Sequence, residues 1–341
     1  MARGLLREIK SRYKSSRYFL SRMIDFPCVR PDFMQINLTT RCNLQCRICT
    51  VHKSFSDINQ ELNADEIKEI ALQGSRLGLK RIVFSRGEPF LRADIFEIIR
   101  FIKENTKMEV VITTNGTLID LELAKKIIQA EVNHLQISLD GATERTHDLI
   151  RDKGSFVKIT QAIEILNGIK SRKLSLGLSF TVIKLNYKEM RSFLDLGRSL
   201  GVDNILFIPF IEDNSYKHEK NIANKAIFNE QESEEFNLIL EEIKNFQKTH
   251  DSPVISNLDN LFLYKEYFSG TLDNLHWNCY AGFHWIQVNP NGVMRMCEWE
   301  YGNIKENNLR KIWYSPKARK ARGMIKKCRR LCLQPCMSRP S

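Results

Sequence analysis

The chain has 341 residues, 43% of them hydrophobic and 27% charged, with 16 Gly and 9 Pro. These values exclude collagen-like, low-complexity and wholly disordered chains, and the length suits one large domain plus a smaller one. The net charge of +12 is concentrated at the ends: residues 1–30 carry eight Lys/Arg against Glu8 and Asp25, and residues 305–341 carry twelve against Glu306. The stretch between is net acidic, so contact with nucleic acid or anionic lipid would fall to the ends, and a nucleic-acid function is disfavoured.

The elements read as follows in chain order. Residues 1–32 form a basic arm in which Leu5, Leu6, Ile9, Tyr13 and Tyr18–Phe19–Leu20 predict a helix. Such a helix would pack on the next domain with a solvated basic face, or lie on a membrane surface. Arg3 and Arg7 precede no apolar signal region, and no run approaches the roughly 18 apolar residues of a membrane span, so a cytoplasmic protein is expected.

From residue 33 to residue 250, apolar runs alternate with helical patterns. The predicted strands are Met34–Leu38, Arg81–Phe84, Val110–Thr113, His134–Leu139, Leu176–Val182 and Ile205–Phe210. Between them lie predicted helices at Ala64–Leu77, Ile95–Glu104, Leu121–Ala130, Phe156–Lys170 and Lys188–Leu200, with Glu230–His250 beyond. Six such units predict an α/β fold, a partial (β/α)6 TIM barrel. After residue 251 the rhythm breaks. Residues 251–341 hold Trp277, Trp285, Trp299, five Cys and one clear strand-like run, Trp285–Val288. Such a segment has little core of its own and calls for a metal staple.

Nine cysteines in a reducing compartment read as metal ligands rather than disulfides, because they cluster. Cys42, Cys46 and Cys49 lie on one loop directly after the first strand. A cubane iron–sulfur cluster takes four ligands, so three thiolates leave one iron open for chemistry. The competing reading is a zinc site completed by a distant ligand such as His52.

This CxxxCxxC loop after the first strand resembles the signature of the radical S-adenosylmethionine (radical SAM) superfamily. The resemblance runs over residues 33–210. It implies a [4Fe–4S] cluster on Cys42, Cys46 and Cys49, with S-adenosylmethionine chelating the fourth iron. Reductive cleavage would then give a 5′-deoxyadenosyl radical that abstracts hydrogen from substrate. Ile48 stands where the family approaches adenine. Arg86-Gly87-Glu88-Pro89 resembles the Gly-Gly-Glu-Pro turn that binds the methionine ammonium, with Arg86 replacing the first glycine. Asn115 closes the third strand, where a plain turn and cofactor contact are both open. Ser138-Leu139-Asp140-Gly141, His147 and Arg151 look like the family's "SLDG…H…IR" segment: Ser138 toward the ribose, Arg151 toward the methionine carboxylate, Asp140 either at the cofactor or capping the next helix, His147 structural. Thr181 and Val182 are adenine-side candidates by position. All these groups sit at strand C-terminal ends, where barrel active sites gather.

Cys279, Gly292 and Cys297, followed by Cys328, Cys332 and Cys336, resemble a SPASM or twitch-like extension. The resemblance implies one auxiliary cluster, with Cys279, Cys297 and two of the last three as ligands and one thiol spare. Its expected job is to accept an electron; a structural zinc is the alternative. Cys28 reads as an ordinary thiol, or as a hydrogen-atom donor in an epimerase. Glu212, Asp213, Tyr216 and Glu298 are weak acid/base candidates. The expected function is oxidation or epimerisation of a small or carrier-bound, sugar-like molecule, with a flavodoxin or ferredoxin as electron donor. Peptide modification is the alternative, and a zinc-stabilised nucleic-acid or membrane-surface binding protein is the rival of another class.

Overall fold

The computed structural model describes residues 16–51, 58–169, 173–210, 228–248, 253–255, 258–270 and 279–328. His52, Glu212, Asp213, Tyr216, Cys332 and Cys336 lie outside the described residues. The chain enters through a helix, α1, over residues 16–23. Six β–α units follow: β1 (Phe33–Asn37), α2 (Ala64–Leu77), β2 (Arg81–Ser85), α3 (Ile95–Asn105), β3 (Glu109–Thr114), α4 (Leu121–Gln129), β4 (His134–Ser138), α5 (Glu144–Ile150), α6 (Ser155–Ile169), β5 (Ser175–Val182), α7 (Met190–Ser199) and β6 (Asn204–Pro209). Strand and helix boundaries in these units fall within two residues of those the apolar pattern predicts. The seven-residue α5 has no counterpart in that pattern.

Local chemistry explains these limits. Asn63 accepts the Glu66 amide at 2.9 Å while the Glu66 carboxylate accepts the Asn63 amide at 2.8 Å, a reciprocal cap that starts α2. Ile67, Ile70, Ala71, Gly74 and Leu77 then recur at helical spacing and form its buried face. The strands β1 to β6 run parallel in sequence order, with residues such as Ile36, Phe84, Ile112, Ile137 and Phe180 fully buried. Helix α8 (Glu230–Phe246) continues the outer layer and β7 (Val254–Ile255) extends the sheet beyond β6.

The C-terminal segment joins this sheet directly. After the short helices α9 (Leu258–Leu261), α10 (Tyr264–Ser269) and α11 (Ala281–His284), β8 (Trp285–Val288) pairs parallel to β1, with Phe33 opposite Trp285 and Ile36 opposite Val288. Strands β9 (Val293–Met296) and β10 (Trp299–Asn303) follow antiparallel, and α12 (Leu309–Trp313) and α13 (Pro316–Lys327) close the chain. The sheet is therefore ten-stranded, β10-β9-β8-β1-β2-β3-β4-β5-β6-β7, and its first and last strands do not pair. Ile286, Val288, Met294, Tyr301, Trp313 and Ile325 belong to the same core cluster as the barrel residues. The segment thus has more core than its pattern suggests, because it borrows the edge of β1.

The arm corrects one expectation, that its helix packs on the barrel. Its helix packs on the C-terminal segment: Tyr18 meets Tyr280 edge-on at 5.9 Å, Arg319 donates to the Ile24 carbonyl at 3.4 Å and Lys326 to the Met23 carbonyl at 2.8 Å. Leu5, Leu6, Ile9 and Tyr13 lie outside the described residues; over the described part Arg17, Phe19, Leu20, Met23 and Ile24 are exposed while Tyr18 and Ser21 are buried. No helix among the described residues is long and apolar enough to cross a membrane.

Candidate cofactor site at the strand ends

The loop after β1 carries Cys42, Cys46 and Cys49 and is pinned at both sides. The Cys49 amide donates to the Cys46 carbonyl at 3.1 Å, and the Arg47 amide to the Ile150 carbonyl at 2.9 Å, which docks the loop on the end of α5. On the other side Asn115 donates to Asn43 at 2.8 Å and approaches the Cys42 sulfur at 3.8 Å. Burial pushes the Cys46 thiol up to about 11, with Arg151 pulling it down and the neighbouring Cys49 and Cys42 pushing it further up. Burial also raises Cys42. The three sulfurs are close enough to feel one another's charge. Among the described residues no three Cys, His, Asp or Glu side chains converge on the volume of one metal ion. A donor set of three soft, mutually coupled thiols on one clamped loop fits an iron–sulfur cluster short of one ligand.

Glu88 is the centre of the second strand end. Its side chain is fully buried and accepts from Thr114 Oγ1 at 2.8 Å, the Asn115 amide at 2.8 Å and the Phe90 amide at 3.1 Å. All three donors are neutral. Burial therefore wins over the hydrogen bonds, and the carboxyl rises from 4.5 to about 6. The turn before it is tight: the Glu88 amide donates to the Arg41 carbonyl at 2.8 Å, tying the turn to the cysteine loop. A Cβ on Gly87 would stand 2.4 Å from the Arg41 carbonyl oxygen and 2.6 Å from that of Thr39, at φ +62°. Only glycine fits there. Arg86 also has positive φ, +67°, with its side chain exposed, which explains why glycine is the usual residue at that position in the family.

Asp140 and Arg151 form a second buried pair, with Arg151 Nε donating to Asp140 Oδ2 at 2.6 Å. Asp140 Oδ1 accepts the Thr181 amide at 2.6 Å, so both carboxylate oxygens are engaged. Asp140 does not cap α5; Thr143 does, accepting the Thr146 amide at 3.3 Å. The physical reason is that Asp140 lies three residues too early and is held by β5. Burial lowers the Arg151 pKa, but Asp140 first and then Cys46 outweigh it, and the guanidinium stays charged. His147 accepts the Asp140 amide at Nδ1, 3.0 Å, and burial then the charge of Arg151 push it down to about 4, so it is neutral and structural. Ile48 packs with Ile150, Ile183 and Phe210 as an apolar cluster beside these groups. Ser138 ends β4, 3.5 Å from the Ser179 hydroxyl. Thr181 is tied into the Asp140 network and Val182 is core.

Several contributors had no local sequence signal. Buried Asn186 donates to the carbonyls of Asp140 and Thr181 at 3.0 and 2.8 Å. Arg92 donates to the carbonyls of Leu38 and Leu62 at 3.3 and 2.9 Å while paired with Asp94. Thr39 donates to Glu61 at 2.7 Å. Each is legible only once the strands are adjacent.

The second cysteine set lies at the other end of the strands. Cys279 precedes α11, Cys297 forms the β9–β10 turn at φ +56°, and Cys328 follows α13. Burial lifts Cys279 to about 11, and Cys297 and Cys328 add to it. Because β8 runs parallel to β1, this set sits at the N-terminal edge of the sheet, and the Cys42 loop at the C-terminal edge. Five strand residues separate the two edges, roughly 17 Å. Cys28 also precedes β1 at the N-terminal edge, which removes it from any substrate held at the strand C-termini. Glu298 is exposed beside Cys297.

This geometry has consequences for stability. Because native Glu88 keeps a proton that the unfolded chain has lost, its contribution to stability declines as pH rises from about 4.5 through about 6, by roughly 2 kcal/mol. Urea denaturation of the metal-free protein across that window is expected to show this slope, and Glu88→Gln to remove it. Gly87→Ala is expected to cost about 2–4 kcal/mol, whereas Arg86→Gly, trading relieved strain against unfolded-state entropy, stays within about 0.5 kcal/mol; thermal melts of the two variants check the contrast.

Comparison with known proteins gives the same picture. The model of the Radical SAM superfamily matches residues 36–197, and that of the SPASM iron-sulfur cluster-binding domain matches residues 279–337. Fe-coproporphyrin III synthase of Methanosarcina barkeri is 29% identical over 72% of this chain and 60% of its own length. AdoMet-dependent heme synthase of the same organism is 34% identical over 50% of this chain and 48% of its own. The chain thus spans about half to three fifths of these relatives. Streptococcus suis SuiB, solved bound to its precursor peptide SuiA, shares the fold with a TM-score of 0.69 at 15% identity, over 92% of this chain and 70% of that one. The chain belongs to the radical SAM superfamily and carries a SPASM iron–sulfur cluster-binding domain behind its barrel.

Proposed function

We propose that Cys42, Cys46 and Cys49 ligate a [4Fe–4S] cluster and that the enzyme abstracts hydrogen from a small or carrier-bound substrate in order to oxidise it. The observation that carries this reading is the three-thiol loop clamped between Asn115 and α5 at the mouth of the barrel. When bound, the cluster and S-adenosylmethionine supply reductive cleavage of the sulfonium, fed by one electron from a flavodoxin- or ferredoxin-type donor, and a 5′-deoxyadenosyl radical.

The chain's own residues bind and orient. Glu88, ionised above about 6, offers an acceptor to the methionine ammonium, and Gly87, followed by Pro89 in the same turn, lets the backbone close against the Arg41 and Thr39 carbonyls of the cysteine loop. Arg151 keeps two NH2 groups beyond the Nε used by Asp140 and suits the methionine carboxylate. Asp140 acts through Arg151 as a positioning residue. Ser138 suits a ribose hydroxyl, and Ile48 with Ile183 and Phe210 an apolar adenine wall. Loss of one hydrogen atom leaves the substrate one electron from an oxidised product. Cys279, Cys297, Cys328 and one further thiol would hold the auxiliary cluster, which would supply an acceptor for that electron, while the proton would leave to solvent. Placed at the opposite edge of the sheet from the Cys42 loop, that set suits an electron acceptor rather than a substrate ligand.

The two curated relatives named for porphyrin and heme chemistry favour a small-molecule substrate over a peptide. A peptide substrate is the second reading, supported by the likeness to peptide-bound SuiB. Anaerobic protein is expected to hold about eight irons, two cubanes, and to form 5′-deoxyadenosine. Cys42→Ala is expected to lower iron to about four and abolish cleavage. Deuterated sugar alcohols, tetrapyrroles and peptides, offered in turn, test the substrate class by deuterium transfer into 5′-deoxyadenosine; transfer from a peptide alone would overturn the small-molecule reading.

A further inference from the structure

The first helix is arranged inside out. It exposes Phe19, Leu20, Met23 and Ile24 and turns Ser21 and part of Arg22 inward. The Arg22 Nε is buried and has no hydrogen-bond partner among the described residues. A guanidinium donor left unpaired in a protein interior costs free energy unless something else accepts it.

The surroundings name that acceptor. One turn earlier, Tyr18 packs against Tyr280, the neighbour of Cys279. Arg22 Nη2 donates to the Lys326 carbonyl at 3.3 Å, two residues before Cys328. Arg22 is thus strung between the chain segments that bring Cys279 and Cys328 to the auxiliary thiol set. Asp25, three residues on, faces Lys326 at 3.7 Å with its buried Oδ1 also lacking a hydrogen-bond partner among the described residues, and no hydrogen bond joins it to the Arg22 Nε. A cluster carrying sulfide and thiolate sulfurs would offer acceptors and negative charge where Nε has none.

We infer that Arg22, from the N-terminal arm and outside the matched SPASM segment, is the charged hydrogen-bond donor to the auxiliary cluster and sets its reduction potential. The inference rests on the reading of Cys279, Cys297 and Cys328 as cluster ligands. A cation in contact with a cluster stabilises the more negative, reduced form, so its removal lowers the potential. In this way the arm tunes how readily the substrate's electron is accepted. Arg22 is a positioning and tuning residue, and it touches no reacting atom.

The test uses the full chain with Cys42, Cys46 and Cys49 changed to Ala, so that only the auxiliary cluster remains, titrated redox-potentiometrically under electron paramagnetic resonance. Arg22→Gln is expected to shift the reduction equilibrium at least tenfold toward the oxidised form, 59 mV for one electron. Arg22→Lys is expected to restore more than half of that shift, and Lys326→Gln to leave the potential within threefold of the parent. A potential unmoved by Arg22→Gln, or moved as far by Lys326→Gln, overturns the inference. Should Arg22→Gln fail to load iron, Arg22→Lys is expected to load it with a near-parental potential, and an iron-free Lys variant overturns the proposal. Absence of any cluster signal in the parent would instead refute the ligand reading itself.

Discussion

A buried carboxylate held by neutral donors organises the mouth of this barrel. Glu88 accepts hydrogen bonds from the ends of β2 and β3, and its own amide reaches back to the cysteine loop after β1. Three strand ends are thereby fixed by one residue. With no cationic donor among its hydrogen-bond partners, the carboxyl carries a desolvation cost that binding of a cationic amine would relieve. The same contacts that build the loop thus leave its acceptor poised for a ligand.

Asp140 shows the opposite solution. It is equally buried, but Arg151 and the Thr181 amide use both of its oxygens. One carboxylate is satisfied within the protein and so orients a guanidinium; the other is satisfied only in part electrostatically. The distinction separates a residue that aims another group from one that meets a ligand, although both stand in the same kind of motif at the same strand ends. The second thiol set, at the far edge of the sheet, is coupled to this mouth through the β1–β8 pairing, so the SPASM segment and the barrel share one core.

Much of this is legible in the sequence, for identifiable reasons. Strands β1, β2, β4 and β6 alternate buried apolar residues with less buried ones, and α2 announces itself through Asn63, Glu66 and its apolar spacing. The spacing of Cys42, Cys46 and Cys49 by itself locates the thiol loop. Strands β9 and β10 are not legible, because they are only four and five residues long, Gly302 and a register shift break β10, and their packing partners are β8 and α13. The long-range polar partners Asn186 and Arg92 bond to backbone carbonyls far away in the chain, which residue identity cannot reveal. The arm misleads most. Its described part exposes Phe19, Leu20, Met23 and Ile24 and buries the Arg22 Nε, a placement that the local residue pattern does not announce.

The central claim is that three cysteines hold a cluster whose fourth iron is open to S-adenosylmethionine. Electron–nuclear double resonance on the reduced, cluster-loaded protein with the amino nitrogen and carboxylate oxygen isotopically labelled addresses it most directly. The account predicts hyperfine coupling from both labels to one iron of the Cys42–Cys46–Cys49 cluster. Absence of both couplings, with a protein side chain occupying that iron, would contradict it.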